Sequence, residues 1–171
     1  MAILTSPYLG NMFQTHRIKT EVRFSGLSLN IPTGATGVDL LSLFVDKTPV
    51  AGSTAMTPFF DLATNKFKVF NNDSTVTLKI NLIGAWQGST NNRTLELNFV
   101  GSAGNQLTKS RDAALTGQDI LSFPTFFSVD KDGNLATNGS QIIARSYGND
   151  FTITEAIFIA EQVVPLYMTS I

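Results

Sequence analysis

The sequence predicts an all-β protein folded as an antiparallel sandwich or closed barrel, and three observations carry that expectation. Helical periodicity is nearly absent, whereas two-residue alternation of apolar and polar residues recurs from about Ile18 to Ile159. The alternating runs are short and are separated by clusters of Gly, Asn, Asp and Pro, a spacing that yields eight or more strands. The 171 residues are 43% hydrophobic and include thirteen phenylalanines, enough to fill one core.

Taken in order, residues 1–16 alternate poorly and contain Pro7 and Gly10, so they read as an N-terminal arm before a domain over 17–161. The first strand alternates Ile18, Val22 and Phe24 with Arg17, Lys19, Glu21 and Arg23. After Ser25-Gly26 the apolar positions become Leu27, Leu29 and Ile31, a one-residue change of phase that predicts a bulge or bend. Pro32, Gly34 and Gly37 close that strand. Val38 to Val45 has the length of a buried strand and is predicted as one, although Val38, Leu41 and Val45 also fit one face of a helix.

Phe59-Phe60-Asp61 and Phe67 to Phe70 flank a turn at Ala63-Thr64-Asn65. Val76, Leu78, Ile80 and Leu82 then alternate with Thr75, Thr77, Lys79 and Asn81, and the same phase runs on through Gly84 and Trp86. A turn cluster at Gly88 to Asn92 leads into Thr94 to Val100, which predicts a hairpin between these two strands. A glycine-rich loop, Gly101 to Asn105, precedes a polar stretch from Gln106 to Asp119. Strands resume with Leu121, Phe123, Phe127 and Val129, and Asp132-Gly133 predicts a second tight hairpin. The last strands are Gln141 to Tyr147 and Asp150 to Ala160, joined by Gly148-Asn149, and residues 162–171 form an apolar C-terminal tail around Pro165.

Twelve Lys and Arg against thirteen Asp and Glu give a formal charge of −1, which excludes a strongly basic nucleic-acid binder. Arg17, Lys19 and Arg23 share a strand face, but Glu21 interrupts them and the face reads as solvated. Charged residues are 15%, below the roughly 25% of ordinary soluble domains, and that favours self-association. There is no cysteine, so disulfide and thiolate chemistry are excluded. No apolar run reaches the roughly 18 residues of a membrane span, and the first residues lack a signal-peptide pattern. The chain is therefore expected to be unprocessed, with no membrane insertion.

Catalytic and metal chemistry find little footing, and no enzyme activity, metal or cofactor is expected. His16 stands alone, with no serine or carboxylate at a recurring triad spacing. Asp130, Asp132 and Asn134 begin like a calcium loop, but Gly133 is misplaced and Gln141 stands where the bidentate glutamate belongs. Gly101 and Gly104 lack the spacing of a phosphate-binding loop. Sequons at Asn72, Asn92 and Asn138 have no secretory context. Trp86 and Tyr147 with the Asn-rich loops suggest a sugar face, yet Trp86 continues a buried phase and is expected in the core.

The segment from Phe59 to Gly88, FFDLATNKFKVFNNDSTVTLKINLIGAWQG, resembles the middle of the C1q and tumour-necrosis-factor family of trimeric jelly rolls. Phe60-Asp61, Asn65-Lys66-Phe67 and Thr75 to Ile83 stand where that family has an aromatic-Asp, a "G/N-K-F" strand and a long alternating strand. The likeness covers roughly Gly26 to Glu161 and implies an antiparallel jelly roll and a homotrimer. A short, cysteine-free chain rich in Asn, Thr, Ser, Gly and Phe also resembles phage head decoration proteins and tail receptor-binding tips.

A trimer has a physical reason of its own. Apolar residues fall in both phases at Phe59 with Phe60, Phe67 with Phe70, Phe126 with Phe127, and Ile157 with Phe158, and a sheet apolar on both faces needs cover on both. The interface candidates are Phe59, Phe60, Phe67, Phe70, Phe126, Ile157 and Phe158. The resemblance implies a structural virion protein, assembled in the host cytoplasm, that decorates or cements the capsid. Tyr8, Phe13, Leu166 and Tyr167 of the arm and tail would dock on the shell. The alternatives are a receptor-binding tail fibre or tip and a C1q-like carbohydrate-binding module. In these, loops bearing Ser89, Asn91, Asn92 and Asn105 would touch a host surface glycan. The expected partners are thus the chain itself, capsid or tail proteins and such a glycan.

Overall fold

The computed structural model describes residues 15–70, 72, 74–88, 92–101 and 105–165. In chain order its elements are β1 (Thr15–Phe24), β2 (Leu29–Ile31), β3 (Val38–Asp39), β4 (Phe60–Asp61), β5 (Lys66–Phe67) and β6 (Ser74–Trp86). There follow β7 (Arg93–Val100), β8 (Gln106–Arg111), β9 (Asp119–Val129), α1 (Asn134–Asn138), β10 (Gln141–Tyr147) and β11 (Phe151–Pro165). Two sheets face each other: a first in the order β1-β11-β6-β9, with β2 also paired to β11, and a second in the order β3-β10-β7-β8. Leaving aside β2 and the β4-β5 hairpin, the strands run first-eighth-third-sixth in one sheet and second-seventh-fourth-fifth in the other. That antiparallel interleaving of two Greek keys is the jelly roll.

The long strands form where alternation predicted them. β6 buries Val76, Leu78, Ile80, Leu82 and Trp86 on one face, and β11 buries Phe151, Ile153, Ala156, Phe158 and Ala160. The change of phase at Gly26 is real, since that residue has φ +66 and leaves Leu27 N–H to donate to Thr154 O. The same break is copied in β11, whose register with β6 shifts between Ile153 and Glu155, so Thr154 is the extra residue of a bulge. Gly84 faces it from β6, where an added Cβ would lie 2.0 Å from Thr152 O; only glycine admits the bulged strand so close.

Four expectations change. β6 and β7 form no hairpin, because the turn after Trp86 carries the chain from one sheet to the other; alternation fixes the buried face of a strand but not its neighbour. The chain likewise crosses sheets after β9. Asp132 does take φ 62, but α1 follows it in place of a hairpin. Val38 to Val45 pairs only over β3; Asp39 Oδ1 then accepts from the Leu41 and Ser42 N–H groups and starts a 3-10 turn over Leu41–Phe44 that buries Leu41 and Phe44. The polar run after Asn105 contains β8, an edge strand whose polar side chains face water.

Phenylalanine fills the core. The Phe24 and Phe158 rings each pack on Phe44 at 4.9 Å, Phe60 meets Phe158 at 5.2 Å, and Phe127 bridges Phe67 at 5.7 Å and Phe99 at 5.1 Å. Each such side chain contributes on the order of 2 kcal/mol by leaving water. β4 and β5 close one end of this core, where Phe67 and Ser140 exchange backbone hydrogen bonds of 2.8 Å.

The strand registers define two poles. At one, Thr15 pairs with Pro165, and Ser74 with Val129. At the other, Trp86 pairs with Phe151, and Arg93 with Arg111. The outer ends of β1 and β11 therefore lie together at the Thr15 pole.

Candidate functional site

The structure moves most of the expected interface residues indoors. Phe59, Phe60, Phe67 and Phe158 are each 0% exposed within the single chain, so they have no surface left for a neighbour. Their double-phase pattern has a local cause: β4 and β5 are a separate hairpin folded over the core end, and Phe158 is an ordinary inward position of β11. Phe70 is half-buried against Phe59, with ring centroids 5.5 Å apart. Phe126 differs, at 71% exposed on the outer face of the first sheet, a face it shares with the half-buried Ile157.

That face holds more apolar surface than was foreseen. Ile120, on the same side of β9, is 70% exposed, and the exposed Pro124 and half-buried Ile159 align across β6 through Lys79. The signal for Ile120 is an apolar residue out of phase with Leu121, but it falls between the polar stretch that ends at Asp119 and the strand residues read from Leu121. Toward the other edge the same face turns charged. Glu21 accepts from Lys19 Nζ at 2.6 Å and from Arg23 Nη2 at 2.7 Å, and these two hydrogen bonds hold its carboxyl down to about 2.

The two edges of this sheet are treated differently. Beyond β1, a strap over residues 50–54 takes up the outward backbone groups: Val50 N–H donates to Arg23 O at 2.8 Å, Thr54 N–H to Glu21 O at 3.0 Å, and Glu21 N–H to Thr54 Oγ1 at 2.8 Å. At the far edge β9 pairs with no further strand among the described residues, and Pro124 removes a donor from it.

The loop candidates separate. Asn92 belongs to the Trp86 pole, where its Oδ1 accepts from Ala113 N–H at 3.1 Å. Asn105 lies at the opposite pole, its carbonyl accepting from Phe99 N–H at 3.0 Å, so the two cannot share one ligand. Ser89, Asn91, Tyr8, Phe13, Leu166 and Tyr167 lie outside the described residues. Trp86 is 6% exposed, with Nε1 donating to Ser146 Oγ at 3.0 Å, and is core.

Arg93 was not foreseen. It is 4% exposed, stands 5.6 Å over the Trp86 ring and donates to the carbonyls of Leu115 at 2.6 Å and Asp112 at 3.2 Å, which ties the loop between β8 and β9 to the pole. Asp150 does the same for the loop after β2, accepting from Thr33 N–H at 2.7 Å and Asn30 Nδ2 at 3.1 Å; these bonds lower its carboxyl below the ordinary value.

The outer face of the second sheet carries a polar network. Glu96 is 4% exposed; burial pushes its carboxyl up, but donors from Arg145, Gln106 and Tyr147 outweigh that and hold it below the usual range. Arg145 Nη1 lies 2.6 Å from Glu96 Oε1, and the Tyr147 hydroxyl donates to Oε2 at 3.1 Å. Burial and then the Glu96 carboxylate raise the tyrosine phenol.

The Asp130 to Asn134 segment is turn chemistry, with Gly133 N–H donating to Asp130 O at 2.9 Å and Asn134 Nδ2 to Gly101 O at 2.7 Å. Among the described residues no three His, Cys, Asp or Glu side chains group as metal ligands, and no helix is long and apolar enough to cross a membrane.

Residues 16–162 match the family described as the Sf6-type phage tail needle knob or tip of some Caudovirales. The chain is 47% identical over 150 residues to the tail needle protein of Shigella phage Sf6, an alignment covering 88% of this chain and 51% of that protein. It thus spans about half the length of this curated relative. Among solved structures it is distantly similar to the PRD1 vertex protein P5, with a TM-score of 0.47, 14% identity and coverage of 84% and 94% of the two chains. The Eiger TNF of S. frugiperda gives 0.46 and 12%, covering 90% and 96%, and the globular domain of zebrafish complement 1qA gives 0.45 and 10%, covering 88% and 98%. The family model and the Sf6 relative support a structural protein of the phage tail, and neither supports decoration of the head. The chain belongs to the Sf6-type family of phage tail needle knobs and tips.

Proposed function

We propose that this chain is the knob at the tip of a tail needle, a non-enzymatic homotrimer that leads with its Trp86 pole toward the host envelope. The observation that carries this is the common exit of the two terminal strands. Thr15 and Pro165 pair at one pole, so a shaft joined to either strand leaves from there and the opposite pole faces forward. The forward loops are fixed by Arg93 and Asp150, which suits a surface that must meet another surface without rearranging.

Self-association would run through the outer face of the first sheet. Phe126 and Ile120 form a ridge on the open edge of β9, and the face toward β11 offers Ile157 and Ile159. A ridge on one copy meeting the face of the next is a head-to-tail contact, and three-fold closure leaves no sticky end. Assembly would take place in the host cytoplasm, with other tail proteins as the shaft's neighbours.

Immunogold labelling of particles, with the purified protein's mass measured by light scattering, tests this reading. Label at the tail tip and three chain masses are expected. Label on the head would restore the capsid reading, and a monomer at micromolar concentration would end the trimer.

A further inference from the structure

The outer face of the second sheet is built for more than contact with water. Two cross-strand rows lie side by side on β10, β7 and β8: Tyr147, Thr94 and Ser110, then Arg145, Glu96 and Thr108. Glu96 lies in the middle of an outward face yet is almost wholly buried, beneath Arg145 and Tyr147. Taking a carboxylate out of water is costly and needs several donors in compensation. A face that had only to remain wet would be served by threonine or lysine at this position.

The network fixes an aromatic ring. Tyr147 keeps 40% of its surface open while its hydroxyl is held by Glu96. Glu96 is held in turn by Arg145, whose Nε donates to Ala35 O at 2.8 Å. A ring already immobilised loses little entropy when something stacks on it. Beside it, the Thr94 and Ser110 hydroxyls lie 2.9 Å apart and either can donate, so the pair can turn one donor and one acceptor outward.

The charge balance selects the ligand. Arg145 and Glu96 cancel, and the other four groups of the two rows are uncharged, so phosphate-rich or acidic ligands find no net cation here. A fixed ring flanked by hydroxyls matches an uncharged molecule with one C–H face and a rim of hydroxyls. We propose that this face is a saccharide platform, on which a neutral pyranose stacks against Tyr147 and hydrogen-bonds to Thr94 and Ser110. Its place on the particle rests on the needle-tip reading, but its chemistry does not.

Saturation-transfer NMR on the full chain tests it, with the methyl glycosides of glucose, galactose, mannose and rhamnose as probes at about 10 mM, the range suited to a ligand of one ring. At least one glycoside should receive saturation and shift the amides of Thr94, Ser110 and Tyr147. Tyr147→Ala should weaken that binding at least about tenfold, whereas Tyr147→Phe, which keeps the ring, should stay within about threefold of the wild type. Thr94→Val, of nearly equal shape, should also weaken binding and serves if Tyr147→Ala does not fold. No transfer from any glycoside to the wild type, or transfer undiminished in both Tyr147→Ala and Thr94→Val, overturns the proposal. A tip-located protein that binds no sugar sinks this proposal alone, whereas sugar binding by a head-located protein sinks the tip reading alone.

Discussion

Arg93 occupies an inward position of β7 that alternation would assign to a leucine, and its guanidinium is the tie between Trp86 and the loop that follows β8. Removing it unties the Asp112 and Leu115 carbonyls and empties a buried position over Trp86, so Arg93→Ala is expected to cost about 2–4 kcal/mol, read as a lower urea midpoint. Glu96 gives a pH prediction. Its folded pKa lies below its unfolded one, so between the two values the unfolded chain binds more protons. The stability it contributes is complete above the ordinary carboxyl range and is lost as pH falls through the folded pKa. Glu96→Gln should therefore lower Tm at neutral pH and flatten the acid side of the Tm–pH profile; an unchanged acid slope would contradict the network. Neither residue was legible as a partner in the sequence, because what each touches comes from strands distant in the chain.

At the scale of the element, the strap over residues 50–54 decides whether β1 is an open edge. Thr54 both donates its N–H to Glu21 O and receives the Glu21 N–H on Oγ1. Thr54→Val removes the hydroxyl at little change of shape; it should cost about 1 kcal/mol and speed amide exchange at Glu21 while leaving Ile80 in mid-β6 protected. Strands were the most legible elements. The alternation of Val76 to Leu82 located β6, and the change of phase at Gly26 located a bulge whose counterpart, Thr154, gave no sign of itself. Pairing was not legible: Trp86 and Arg93 are close in sequence, yet they begin a crossing between sheets, because strand alternation records a face and says nothing of a neighbour. β8 escaped notice because an edge strand has no need of apolar side chains on its wet face.

For the whole molecule, a core of phenylalanines is complete within one chain, and that corrects the premise that its aromatics need a partner's cover. For the trimer we propose, what remains is a smaller and better defined surface on the outer face of the first sheet. Phe126→Asp combined with Ile120→Asp should reduce the mass in solution to that of one chain without changing the circular dichroism spectrum, since both side chains already point outward. An intact trimer in that double variant would place the contact elsewhere.

The pairing of β1 with β11 over the ten residues Thr15–Phe24 has a mechanical consequence. A thrust arriving along β1 from Thr15 runs parallel to the strand, and the ladder bonds stand perpendicular to it. They are strained together in shear, where a load applied across the strand would open them one after another. On the needle-tip reading we propose, a knob mounted this way would transmit force through its stem while the loops of its Trp86 pole stay seated.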